Sequence, residues 1–282
     1  MMVDFVDIHS HALPGVDDGS PSFEISLAMF EVALGQGVDT MVLTPHLRPI
    51  DGPDQEEEHR QRFAELQVAV RDAGLEIELH LGAEIAFRFN MPEVAAWPSG
   101  HLAEGPYVLT DLPPGLEQAY FELRSAGYKP ILAHPERHRA LSVHPEQIDR
   151  LRQQDLLLQV NAGSLLGRFG RRAQATAEMI LERGWTDFIG SDVHDLEKRP
   201  LALIGRGAGA GFAIVRRARS RKALPPQSGL RAQRRRGFAR RGISATPGQV
   251  SARVGAAKVF ASQKGESGLF PTPIGAWNGP LK

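Results

Sequence analysis

The sequence predicts an α/β fold made of about seven strand–helix units, close to a barrel. Short apolar runs alternate with amphipathic helical patterns over most of the first 190 residues. Most of the apolar runs are followed by a polar cluster that is rich in histidine and carboxylate. The alternation is typical of parallel strands joined by helices, and such folds place their functional residues at the carboxyl ends of the strands. We therefore expect the polar clusters to converge.

The predicted elements follow in order along the chain. Strands are predicted at 3–8, 38–43, 77–81, 107–109, 130–133, 156–160 and 187–189. Helices are predicted at 23–36, 56–73, 115–126, 145–154 and 173–183, where apolar residues recur at helical spacing. Ser22 is expected to cap the first helix and Gly74 to end the second. The stretch 86–104 is less regular, and we expect a short helix and a loop there.

The charge distribution divides the chain into two parts. Residues 201–282 hold 16 of the 33 Lys and Arg residues but only one of the 33 acidic residues, Glu266. We predict a folded domain at 1–200 and a basic, Gly-, Arg- and Ala-rich tail at 201–282. The tail is expected to be disordered or non-native, as a frameshift in a GC-rich gene would leave. Its arginines could form a nucleic-acid patch, but almost no aromatic residues are interleaved with them, so binding to nucleic acid is disfavoured.

The chain of 282 residues has no cysteine, and 42% of its residues are hydrophobic. The absence of cysteine excludes disulfides, thiolate metal sites and cysteine nucleophiles. It also fits a cytoplasmic protein. No secretory signal is visible, and no apolar run approaches the ~20 residues that span a bilayer, so we expect no membrane insertion. Homo-oligomerisation is left open.

The histidine and carboxylate clusters predict a metal centre. His9 and His11 are two residues apart at a strand end, so both rings can reach one ion or two adjacent ions. Asp192 and His194 repeat this spacing after the last predicted strand. Three further candidates follow strands between these two: His46, Glu84 and His134. Because these donors exceed the need of one zinc ion, we expect two or three ions, with Mn, Fe and Zn all compatible.

Arg137 and Arg199 come shortly after two of these clusters. A guanidinium beside a metal centre suits phosphate, because its fork matches two oxygen atoms. The alternative is an ordinary surface arginine that pairs with a carboxylate. Of the remaining histidines, His59 is expected on the exposed side of its helix, and His138 is ambiguous because it directly follows Arg137.

Six motifs carry a resemblance to a known family. They are DIHSHALPGVDDG at 7–19, TPH at 44–46, GAE at 82–84, AHPER at 133–137, QVNAGS at 159–164 and GSDVH at 190–194. In this order they resemble bacterial PHP-type (polymerase and histidinol phosphatase) protein-tyrosine phosphatases of capsule and exopolysaccharide systems, the CpsB/CapC family. The resemblance covers residues 3 to 200.

The resemblance implies a distorted (β/α)7 PHP barrel with three metal ions, usually Mn²⁺. It implies hydrolysis of phosphotyrosine on a partner bacterial tyrosine autokinase that controls polysaccharide synthesis. The implied metal ligands are His9, His11, Asp18, His46, Glu84, Asp111, His134, Asp192 and His194. Asp111 stands where the family has a glutamate and is one methylene shorter. Arg137 and Arg199 are implied to hold the phosphate.

Two alternatives to this function are left open. The first is a PHP phosphoesterase for a small molecule such as histidinol phosphate, since the metal ligands alone do not separate the two activities. The second is an inactive remnant with an incomplete barrel, because the helix that would cover the last strand is not visible after Pro200.

Overall fold

The computed structural model describes residues 5–48, 52–86, 90–111 and 117–201, and the backbone of three short strands after them. The strands of the main part are β1 (Phe5–Ser10), β2 (Val38–Leu43), β3 (His46–Leu47), β4 (Glu78–Leu81), β5 (Glu84–Ala86), β6 (Tyr107–Asp111), β7 (Lys129–Ala133), β8 (Leu157–Asn161) and β9 (Phe188–Gly190). Its α-helices are α1 (Phe23–Gly35), α2 (Pro53–Asp72), α3 (Met91–Ala95), α4 (Glu117–Ser125), α5 (Arg139–Val143), α6 (Glu146–Gln153), α7 (Ala162–Leu165) and α8 (Gly170–Glu182). Short 3₁₀ helices occur at Leu102–Glu104 and Pro135–Arg137.

The strands of the main part form two parallel groups. One has the order β1-β2-β4, and the other has the order β3-β5-β6-β7-β8-β9. The chain passes from the first group to the second twice, between β2 and β3 and between β4 and β5. Just after β2 and β4 the backbone still pairs with the neighbouring strand: the amide of Thr44 donates to the carbonyl of Ser10, and the amide of Gly82 donates to the carbonyl of Leu43, both at 2.8 Å. The predicted α/β class with parallel sheets is confirmed.

The first and last strands of the main part lie side by side. Ser10 forms a parallel bridge with Val193, and the amide of Asp192 donates to the carbonyl of His9 at 2.9 Å. The buried Asp7 accepts hydrogen bonds from the amide of Ser191 at 3.0 Å and from its hydroxyl at 2.5 Å. Residues 5–10 and 190–193 are therefore held together at the edge where the predicted metal ligands occur.

Strands from both groups share an interior. Their buried apolar side chains form one cluster with Leu102 of the first 3₁₀ helix; the strand members are Val6, Ile8, Val42, Tyr107, Leu109, Ile131, Ala133 and Phe188. Two further clusters lie between the strands and the helices. Burial of each large aliphatic side chain contributes roughly 1.5–3 kcal/mol to folding. The scaffold beneath the strand ends is therefore a packed core.

Helix α2 differs from its prediction in two ways. It begins three residues earlier, at Pro53, because proline is favoured in a first helical turn. The expectation that His59 is exposed is wrong, because the side chain is fully buried. Glu56, one turn earlier, accepts hydrogen bonds at 3.1 Å from the amide and the hydroxyl of Ser99. This loop contact covers the helix face that the sequence pattern places in solvent.

Most other predicted elements agree with the structure to within about three residues. Ser22 caps α1, and its hydroxyl accepts from the amide of Ile25 at 3.4 Å. Strand β1 extends to Ser10, so His9 lies within the strand and not after it. The short helices α5 and α7 were not predicted, because four or five residues are too few to show a periodic pattern.

Three short strands are described beyond Leu201. They are β10 (Arg216–Arg217), β11 (Lys258–Ser262) and β12 (Thr272–Ala276), and β10 pairs antiparallel with β1. The other residues of 202–282 lie outside the described part, so the expected disorder of the tail stays a prediction. Among the helices that the structure describes, none has the length and apolar character needed to span a membrane.

Candidate metal centre

Four predicted ligands surround one small space near the end of β1, at the start of β5 and just after β9. The Nε2 atoms of His9 and His11 lie 3.2 Å apart. Glu84 Oε2 lies 3.5 Å from His9 Nε2 and 3.4 Å from His11 Nε2. Asp192 Oδ1 lies 3.4 Å from both rings. Two imidazoles and two carboxylates therefore direct their donor atoms at one another.

A second group of donors adjoins the first on the solvent side. The donor atoms of His11, Asp18, His46 and His194 all lie within 4.8 Å of one another. Asp18 Oδ1 is 3.3 Å from His46 Nε2 and 3.5 Å from His194 Nε2. His46 Nδ1 is also 3.1 Å from Glu84 Oε2, so Glu84 connects the two groups. The side chain of Asp18 is 62% exposed, and the centre is therefore accessible to solvent from this side.

A third group lies on the opposite side of Glu84. The second carboxylate oxygen of Glu84, Oε1, is 2.8 Å from His134 Nε2. The donor atoms of Asp111, His134 and His138 lie within 4.8 Å of one another. His138 Nε2 is 3.0 Å from Asp111 Oδ1. The structure thus brings all nine predicted ligands into three adjoining groups and adds His138, which the sequence left ambiguous.

The electrostatics of these groups fit divalent cations. Burial favours the neutral form of Glu84, but the neighbouring His9 and His134 hold its pKa well below the usual value. The same competition between burial and nearby imidazoles keeps the pKa of Asp192 well below its usual value. Both oxygens of Glu84 and Oδ1 of Asp192 are buried, and their nearest polar neighbours are imidazole nitrogens that do not meet hydrogen-bond geometry in the described part of the chain. Buried anionic oxygens of this kind are stable when they coordinate a metal or pair with cations.

Asp17 contacts two of the predicted histidine ligands, although the adjacent Asp18 is itself the predicted ligand. Its carboxylate accepts from His11 Nδ1 at 2.7 Å, the amide of Gly19 at 2.9 Å and the amide of His46 at 3.0 Å. Burial alone would raise the pKa of Asp17, but His11 and the amides lower it to about 2. The contact places the proton of His11 on Nδ1 and leaves Nε2 facing the centre.

Gln159 and Asn161 hold the other side of the centre. Gln159 Oε1 is 2.8 Å from His9 Nδ1, and its amide nitrogen donates to Asn161 Oδ1 at 2.9 Å. Asn161 Nδ2 in turn donates to Asp192 Oδ2 at 2.6 Å. Because an amide oxygen can only accept, His9 carries its proton on Nδ1 and presents Nε2 to the centre. These side chains fix the orientation of two predicted ligands.

Glu136 joins the end of β8 to helix α7 and is not a member of the predicted ligand groups. It is buried, and its Oε1 accepts from the amide of Asn161 at 3.0 Å and from Ser164 Oγ at 2.6 Å. Burial raises the pKa of Glu136. The predicted ligand His134 has a left-handed backbone with φ of 32°, and Asp192 has φ of 52°. Non-glycine residues in this region cost of order 1–3 kcal/mol and cluster at functional sites.

The two predicted phosphate-binding arginines meet at one carboxylate oxygen. Arg137 Nη1 donates to Asp192 Oδ2 at 2.7 Å, and Arg199 Nη2 donates to the same atom at 2.8 Å. The guanidinium of Arg137 also lies over the ring of Phe169, 4.6 Å from its centroid. Their side chains are 32% and 24% exposed, which leaves N–H groups available to an anion. Both arginines therefore lie beside the predicted ligand Asp192, and Arg199 is also 3.5 Å from Asp18 Oδ2.

The comparisons with known proteins agree with this geometry. A family model described as capsular polysaccharide synthesis, CpsB/CapC, matches residues 5–205. Tyrosine-protein phosphatase YwqE of Bacillus subtilis is 31% identical over 202 residues, which cover 69% of this chain and 79% of YwqE. Tyrosine-protein phosphatase CpsB of Streptococcus pneumoniae is 26% identical over 208 residues, covering 69% of this chain and 85% of CpsB.

A solved structure shares the fold. It comes from work on YwqE of B. subtilis and CpsB of S. pneumoniae, described as unique metal-dependent tyrosine phosphatases. The TM-score is 0.60 at 27% identity, over 70% of this chain and 82% of that chain. The family match ends close to the point where acidic residues disappear from the sequence.

Proposed function

Because the chain belongs to the CpsB/CapC family of capsular polysaccharide synthesis, we propose that it is a metal-dependent protein-tyrosine phosphatase of capsule or exopolysaccharide synthesis. One observation carries the proposal beyond family membership. Nine imidazole and carboxylate side chains, from segments as distant as residues 9 and 194, converge beside two arginines. Divalent ions held by such donors, with guanidinium groups beside them, suit the hydrolysis of a phosphate monoester.

The strand circuit supports a distorted (β/α)7 barrel of the PHP type. The seven positions are β1, β2 with β3, β4 with β5, β6, β7, β8 and β9, and contacts between β9 and β1 complete the circuit. The breaks after β2 and β4 account for the distortion. They place His46 and Glu84 directly opposite each other in the register of β3 and β5.

Mn²⁺ is the proposed cofactor, with two or three ions bound, and Fe or Zn as alternatives. Mixed imidazole and carboxylate donors suit all three metals. His9, His11, Glu84 and Asp192 would hold one ion. Asp18, His46 and His194 would hold a second together with His11 or Glu84, and Asp111 and His134 lie where a third would bind. When bound, such ions act as Lewis acids and lower the pKa of bound water.

The residues of the chain position the substrate around this centre. Arg137 and Arg199 bind the phosphate oxygens through their guanidinium forks and stabilise the charge that develops on them. Asp192 orients both arginines through Oδ2 while its Oδ1 faces the histidines. The leaving tyrosine oxygen has a pKa of ~10 and needs only modest help from an acid. The cysteine-free sequence fits direct hydrolysis without a cysteinyl-phosphate intermediate.

The proposed substrate is phosphotyrosine on a bacterial tyrosine autokinase in the cytoplasm. The curated relatives compared above are named tyrosine-protein phosphatases, which favours this class over a small-molecule phosphoesterase. The open rim at Asp18, where the side chain is 62% exposed, is compatible with a substrate that is part of a protein chain.

A comparison of substrates tests the proposal. The full-length protein is stripped of metal and supplied with Mn²⁺, and kcat/KM is measured for a phosphotyrosine peptide, a phosphoserine peptide and histidinol phosphate. We expect the phosphotyrosine peptide to be preferred and the double variant His9→Ala, His11→Ala to be inactive. His144→Ala, at an imidazole that is 57% exposed, should keep full activity. Faster turnover of histidinol phosphate, or an active double variant, would reject the proposal.

A further inference from the structure

His138 is a histidine at the centre for which the proposed reaction has no role. It follows the 3₁₀ turn Pro135–Arg137 that comes after β7. The turn brings the imidazole back over His134, and the two rings stack with centroids 6.1 Å apart and planes 30° apart. The side chain is 17% exposed, so it faces the interior of the cleft more than solvent.

The nearest polar contact of His138 is short but is not a good hydrogen bond. Its Nε2 lies 3.0 Å from Asp111 Oδ1, yet Nε2 is buried and has no partner of hydrogen-bond geometry among the described residues. Two donors that each bind one ion at about 2.1 Å, at right angles, are roughly 3 Å apart. The separation of these two atoms therefore matches neighbouring ligands of a single ion.

The neighbouring donors complete the same pattern. The ligating atoms of Asp111, His134 and His138 lie within 4.8 Å of one another, a spread that one coordination sphere can span. Two imidazoles with one carboxylate suit Mn, Fe or Zn and do not suit Ca or Mg. Asp111 is 41% exposed, so this position has an open side for water or a substrate oxygen.

We propose that His138 is a metal ligand, which with Asp111 and His134 holds an ion on the far side of Glu84 from His11. The inference rests on the proposed metal-dependent function. The competing role is that of a positioning residue, in which His138 carries a proton and only orients the carboxylate of Asp111 for the other ligands. Glutamine at position 138 would distinguish the two roles. Its amide can donate a hydrogen bond to Asp111 and so preserve the positioning role, but it is a poor ligand for these ions.

Metal binding to the full-length protein distinguishes these roles. Equilibrium dialysis and calorimetric titration with Mn²⁺ give the number and affinity of sites in the wild type, His138→Phe, His138→Gln and the control His144→Gln. Phenylalanine keeps a ring that can stack on His134. We expect both His138 variants to lose one Mn²⁺ equivalent or to bind it at least tenfold more weakly, with the remaining sites unchanged. The control should match the wild type, and circular dichroism should show all four proteins folded.

Three results would overturn the inference. Unchanged binding in both His138 variants would exclude a ligand role. Recovery of the weakened site in His138→Gln, but not in His138→Phe, would assign the positioning role instead. Anomalous diffraction from Mn²⁺-loaded crystals with no ion within about 2.5 Å of a His138 ring nitrogen would also exclude it. If the wild type itself bound no Mn²⁺, the metal-dependent function would fail first, so the two failures are distinguishable.

Discussion

The Asp17→Asn substitution tests whether the residues around the predicted ligands hold them in place. Asp17 accepts hydrogen bonds from His11 and from the amides of Gly19 and His46, and its pKa is lowered from 3.8 to about 2. The difference between these two pKa values corresponds to roughly 2 kcal/mol of stability in the metal-free protein. Since outer-sphere partners of metal-bound histidine typically matter by 10–100-fold, Mn²⁺ affinity should fall by that factor.

The stability that Asp17 contributes should decrease as the pH is lowered. Because the pKa of Asp17 is lower in the folded state, its contribution is complete above the unfolded value and is lost as pH falls toward about 2. Urea unfolding of the metal-free protein should therefore show a wild-type advantage of about 2 kcal/mol at pH 6 and roughly 1 kcal/mol at pH 3. Asp72→Asn, at an exposed site on α2, is the control. Equal stability of wild type and Asp17→Asn at pH 6, with unchanged Mn²⁺ affinity, would refute this reasoning.

Three other perturbations follow from the same structure. Arg137→Ala and Arg199→Ala should each lower turnover of a phosphotyrosine peptide by roughly 10²–10³ while Mn²⁺ content stays constant, and unchanged turnover would exclude a phosphate-binding role. Gly19→Ala should destabilise the protein by roughly 1–3 kcal/mol in urea unfolding, because its Cβ would overlap the carbonyl of His11, whereas Gly35→Ala meets open space and should not. A variant ending at Leu201 should match the full chain in Mn²⁺-dependent turnover, since every predicted donor lies before that residue; an inactive variant would show that 202–282 contributes.

The predicted ligands were accessible from sequence because their signals are local. His9 with His11 and Asp192 with His194 are paired two residues apart next to apolar runs, so a strand-end position follows from the pattern. The structure places each pair at the end of a strand, as β1 and β9 show. The metal-ligand role itself remains a prediction that the measurements above address.

The supporting residues could not be predicted, because their partners are distant in the chain. Gln159 contacts His9 across 150 positions, and Asp7 contacts Ser191 across 184. Glu136 lies in the AHPER motif at 133–137, yet its carboxylate accepts hydrogen bonds from Asn161 and Ser164 and belongs to none of the predicted ligand groups. Polar residues in a motif serve either as predicted metal ligands or as structural hydrogen-bond partners, and the folded structure is needed to distinguish these roles.

The environments of two histidines could not be predicted from the sequence. His59 is expected on an exposed helix face but is buried, as is Glu56 one turn earlier, which the loop at Ser99 contacts; burial lowers the pKa of His59. His138 is ambiguous in the sequence because it directly follows Arg137, yet the turn after β7 brings it to Asp111. Helical periodicity describes one element at a time, whereas burial and coordination depend on the elements packed against it.

Parallel measurement of bound Mn²⁺ and phosphotyrosine hydrolysis tests the metal-dependent function most directly. Metal-stripped full-length protein and Glu84→Gln, which keeps the side-chain shape but removes the charge shared by His9, His46 and His134, are titrated with Mn²⁺. We predict that wild-type turnover rises in proportion to bound Mn²⁺ and disappears with a chelator, and that Glu84→Gln loses both binding and turnover. Hydrolysis that persists in the chelated, metal-free protein, or full activity in Glu84→Gln, would contradict a function that depends on this metal centre.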